Sequence, residues 1–77
     1  METIKEIDNQ MAAIIHRETG AVIEVTTTGI GRFTVSGATE HAQRAAHWLY
    51  TYNVAAVDDS ATEEGETYFY MKTKVAK

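Results

Sequence analysis

Three histidines, His16, His41 and His47, are the side chains of this 77-residue chain that ordinarily titrate near neutrality, so they are the first candidates for proton transfer or metal binding. Their spacing fits neither use. None has a carboxylate or a second histidine at i, i+3 or i+4 in a metal-binding pattern, and His41 and His47 fall on different faces of a helix. All three read as surface or boundary residues. The absence of cysteine removes thiolate nucleophiles, disulfides and thiolate zinc sites, and leaves the redox compartment unreadable from thiols. There is no G-x-S-x-G, H-E-x-x-H or P-loop sequence. Gly29-Ile30-Gly31 is too short to cradle phosphates and precedes a strand-like stretch, so it reads as a hairpin turn. Asp58, Asp59, Glu63, Glu64 and Glu66 offer hard oxygen ligands, but not in the alternating order of a calcium loop. The expectation is a chain with no catalytic residues, no metal and no cofactor.

What remains is the chemistry of recognition. Tyr68 and Tyr70 alternate with apolar residues and should project from one sheet face, near Arg32 if the strands are neighbours. Trp48, with Arg44 one turn before it, marks the shoulder of a helix. Exposed tyrosine, tryptophan and arginine dominate binding energy at protein interfaces, so these residues are candidate partner contacts. The bland alternative is that one of the two sets completes a core or a homodimer contact. The carboxylates Asp58, Asp59, Glu63, Glu64 and Glu66 read as a solvated loop or as an element that steers a basic partner.

The elements that must hold these residues are legible from periodicity. Ala38 to Asn53 reads as the principal core helix, with Ala42, Ala45, Ala46 and Leu49 in one narrow apolar stripe. Because that stripe is mostly alanine, its partner must approach closely, as a β-sheet can. Thr3 and Glu6 form a T-x-x-E capping box that opens a helix over 3–19, and Gly20 stops it. Ile4, Ile7, Met11, Ile14 and Ile15 repeat along it at helical spacing. Ala21 to Thr28 and Arg32 to Ser36 alternate as a hairpin joined by a loop of three to five residues. Val54 to Val57 is a short apolar run compatible with a buried or edge strand, Asp58 to Glu66 a polar loop, and Thr67 to Val75 a strand with Phe69, Met71 and Val75 facing one way. The order α-β-β-α-β-β predicts a single α+β domain over 1–77, one mainly antiparallel sheet with both helices on one face. The predicted core is Ile4, Ile7, Met11, Ile14, Ile23, Val25, Phe33, Val35, Ala45, Ala46, Leu49, Phe69 and Met71.

The net charge of −4 argues against a general nucleic-acid binder, which needs a basic face, and against anionic membrane surfaces. METIKEIDNQ carries acids where a signal peptide needs a basic region and an apolar run, and no stretch approaches a membrane span, so a cytoplasmic protein is the expectation. A small core, the apolar run at Val54 to Val57 and spare aromatics favour a homodimer through an unpaired strand edge.

Two resemblances follow. Ile23 to Val57, with "FTVSG" before a helix and "VAAVDD" after it, resembles the hairpin–helix–strand pattern of BON domains, although Asn53-Val54 stands where that family has Gly-Val. The whole chain is similar in size, charge and layout to the small acidic α/β proteins with which phages block host defences, anti-CRISPR proteins among them. That second resemblance implies a stoichiometric inhibitor or adaptor that occupies a basic or nucleic-acid-binding surface of a partner. A ligand- or nucleic-acid-binding domain using the tyrosine face is the alternative, and a small enzyme is the weakest reading.

Overall fold

The computed structural model describes residues 3–74 of the chain. Thr3 adopts an extended conformation and its hydroxyl accepts the Glu6 N–H at 3.1 Å, so the first helix, α1, runs Ile4–Thr19. The capping box is only half formed, because the Thr3 hydroxyl also donates to the Glu6 carboxylate at 3.2 Å. Gly20, at φ 77°, ends the helix by donating its N–H to the His16 carbonyl, as its position predicts. The strands β1 (Glu24–Gly29) and β2 (Arg32–Ala38) form the expected hairpin, although its turn is the two residues Ile30-Gly31. Gly31 takes φ 69° and lies so close to the end of the last strand that an added Cβ would sit 2.9 Å from the Thr73 hydroxyl.

Thr39–Thr51 forms the second helix, α2, with all four residues of the predicted stripe buried. Its exit is a Schellman arrangement. Val54 N–H reaches the Leu49 carbonyl, Asn53 N–H the Tyr50 carbonyl, and Asn53 takes the left-handed φ of 63° that asparagine tolerates. The last hairpin is β3 (Ala55–Glu63) and β4 (Glu66–Thr73). Here the acidic stretch departs from the predicted polar loop. Asp58 to Glu63 are strand, and only Glu64-Gly65, both at positive φ, make the turn. An edge strand with one face and one edge in water can carry carboxylates that a central strand cannot.

The sheet is antiparallel throughout in the order β1-β2-β4-β3, which gives the α-β-β-α-β-β, α+β architecture its one layer of strands. Through α2 the chain passes from β2 to the far edge, and β4 then returns between them. Both helices pack on one face, around Ile15, Val25, Phe33, Val35, Ala45, Leu49, Ala55 and Met71. Of the predicted core, Met11, Ile23 and Phe69 are half-buried, and Ile4, Ile7 and Ile14 are not core at all, at 63%, 48% and 42% exposed. The helix is turned by about one residue, roughly 100°, so that Asp8 and Ile15 meet the sheet instead. Asp8 is the cause: its carboxylate accepts the Thr27 N–H at 2.9 Å and the Thr27 hydroxyl at 2.5 Å. Val75, predicted to face inward, lies outside the described residues.

Candidate functional site

Strand alternation sorts the sheet into a covered and a bare face. Phe33 and Val35 pair with Met71 and Phe69 beneath the helices, which forces Thr34 and Ser36, and with them Tyr70 and Tyr68, to the opposite side. On β3 the same register brings Asp59 beside Tyr70 and Ala61 beside Tyr68. Both rings thus stand among short neighbours, and Tyr70 is 43% exposed while Tyr68 is half-buried.

The carboxylates are not equivalent. A register shift between Val57 and Asp59 inserts Asp58 as an extra residue, and it pairs with Arg32 across β4, Nη1 to Oδ2 at 3.0 Å. Arg32 therefore lies on the tyrosine face as predicted, but with its charge already matched. Asp59 turns one oxygen back to the Ser60 N–H at 2.8 Å. Glu63, Glu64 and Glu66 surround the hairpin turn and, with Tyr68, line an open cleft of about 270 Å³. Tyr68 donates its hydroxyl to Glu66 Oε2 at 2.7 Å, and this bond, reinforced by the Glu66 charge, raises the phenol above its ordinary titration range. Replacing Glu66 by Gln should bring the Tyr68 titration down toward that range, read from phenolate absorbance. An unchanged midpoint would show that the bond does not form.

Trp48 belongs to a different surface. It stands on the helix side, its ring 5.2 Å from that of Tyr52, and lines a groove with Ile7, Gln10, Met11, Ile14, Leu49 and Val54. Thus eight of the nine candidate residues lie on the bare sheet face or its acidic turn, and Trp48 lies across the domain from them. Sequence reasoning missed Lys74, which reaches the Asn53 side chain at 3.0 Å and lies 4.3 Å from the Tyr50 ring centre.

Two of the three histidines bond to backbone, while His47 is exposed and meets the Thr51 hydroxyl. His16 Nδ1 bonds to the Ala21 carbonyl and His41 Nδ1 accepts the Val22 N–H at 2.9 Å, together fastening the link from α1 to β1. Among the described residues, no three His, Asp or Glu side chains cluster as metal ligands, and no helix is long and apolar enough to cross a membrane.

The class these features define is a two-layer α+β domain whose sheet has one bare face, aromatic at its centre and acidic at one end. The chain matches no family model, no curated protein and no solved structure.

Proposed function

We propose that this is a non-catalytic protein-binding module that lays its bare sheet face against a basic surface of a partner. The observation that carries the reading is the placement of Tyr70, exposed between Thr34 and Asp59, a few residues along the sheet from the open Glu63–Glu64–Glu66 cleft. An aromatic anchor beside carboxylates that meet no cation among the described residues suits a lysine- or arginine-rich surface, including one that otherwise holds nucleic acid. Such a protein would act stoichiometrically, as an inhibitor or adaptor of the kind phages direct against host defences. Nucleic acid itself is a poorer occupant, because the Arg32 guanidinium on this face is held by Asp58 and the whole chain is acidic.

The two parts of the face should have separable effects on a partner captured from lysate. Changing Glu63, Glu64 and Glu66 to glutamine should slow association and flatten its salt dependence, since exposed charges steer encounters through a field that salt screens. Tyr70→Ala should instead speed dissociation, by roughly 30-fold for a hot spot of about 2 kcal/mol. Surface plasmon resonance at two salt concentrations reads both. If both variants bind with wild-type kinetics, the face is not the contact.

A further inference from the structure

The helix side carries an interaction surface of its own. Ile4, Ile7, Met11 and Ile14 follow one another at three- and four-residue steps, the a/d spacing of a helix seam. Asp8 holds α1 so that Ile7, Met11 and Ile14 face the gap beside α2, while Ile4 lies exposed near the end of β1. The result is an apolar groove of about 320 Å³, floored by Met11 and Leu49 and walled by Ile7, Ile14, Trp48 and Val54.

We infer that the occupant is a second copy of this chain, its α1 lying antiparallel along the first. The seam is self-complementary in that arrangement: Ile4 meets the second copy's Ile14, Ile7 meets its Met11, and each pairing recurs by two-fold symmetry. These pairings put the symmetry axis at Asn9, with Gln10 on the groove side and Asp8 turned away to Thr27, so no like charges meet there. A specific interface covers roughly a tenth of a small protein's surface, here about 540 Å² of 5381 Å². The exposed parts of the three isoleucines, with Trp48 and Tyr52, supply area of that order. The sheet edges are poorer routes to a dimer. The outward Thr27 amide of β1 is occupied by Asp8, and β3 paired with its own copy would bring Asp58, Asp59 and Glu63 against like charges. The contact expected from the Val54 to Val57 edge is thereby moved to the helices.

Sedimentation velocity across the micromolar range tests this directly. The wild-type chain should approach twice its 8.5 kDa mass as concentration rises. Ile7→Glu and Ile14→Glu should each weaken self-association at least tenfold while circular dichroism stays native, since both side chains face water in the single chain. Val57→Lys, on the β3 edge, should leave it unchanged. A chain that stays monomeric throughout overturns the inference. So does a dimer broken by Val57→Lys but not by Ile7→Glu, or one in which Tyr70→Ala alone abolishes association.

Discussion

Leu49→Ala is expected to lower the free energy of unfolding by about 2–5 kcal/mol. Leu49 is fully buried, with Ala45 and Ala46 one turn back on its own helix and Met11, Ile14, Trp48 and Val54 beside it on the groove side. The alanines have no side chain to swing into a void, whereas Met11 and Trp48 do, and how far they move sets where in that range the loss falls. A chain of this length has roughly 4–12 kcal/mol of stability in all, so the variant should be near the edge of folding. Urea titration with an unchanged slope gives the measurement. A loss below about half a kcal/mol would mean the alanine stripe is not the core contact that it forms here.

How well each element could be read from sequence depended on how many independent signals agreed. The α2 stripe was plain because Ala42, Ala45, Ala46 and Leu49 all fall on one face, and all four are buried. The tyrosine face was plain for a similar reason, since two-residue alternation from Thr67 to Lys72 leaves Tyr68 and Tyr70 only one side to occupy. The Asp58 to Glu63 part of edge strand β3 reads as a loop because periodicity arguments expect apolar residues in strands, whereas these residues need only keep a ladder with β4. Its turn, Glu64-Gly65, lacks the Asn-Gly or Asp-Gly signal that marks a two-residue hairpin. The separation of Trp48 from the tyrosines is legible too, since Trp48 lies on a helix and the tyrosines on the sheet face away from the helices, whereas which helix flank meets α1 is a tertiary fact with no local signature.

The misreading of α1 has a single physical origin, and it leads to the second large effect. Hydrophobic periodicity gives a helix the face with the most isoleucines, and here a buried carboxylate outweighs it. Asp8→Ala should cost about 1.5–3 kcal/mol, because it removes a charged acceptor from two donors of Thr27 at 2.9 and 2.5 Å. At roughly 4–8 °C per kcal/mol for a domain of this size, the melting temperature should fall by about 6–24 °C. Ile7→Ala, which removes more apolar volume but from an exposed position, should cost far less in the single chain. The order of these two losses is the test: if Ile7→Ala is the more damaging under monomeric conditions, the helix packs through its isoleucines after all. A second readout isolates the bond itself. In Asp8→Ala the Thr27 amide should exchange with deuterium faster than the amides paired between β1 and β2, because it faces the sheet edge and loses its only described acceptor. Thr27→Val keeps that amide bonded to Asp8 while deleting the hydroxyl, so it should destabilise less and leave the exchange slow. If Thr27 exchanges at the same rate in Asp8→Ala as in the wild type, the carboxylate does not hold the edge. The isoleucine seam would then need another explanation for facing water.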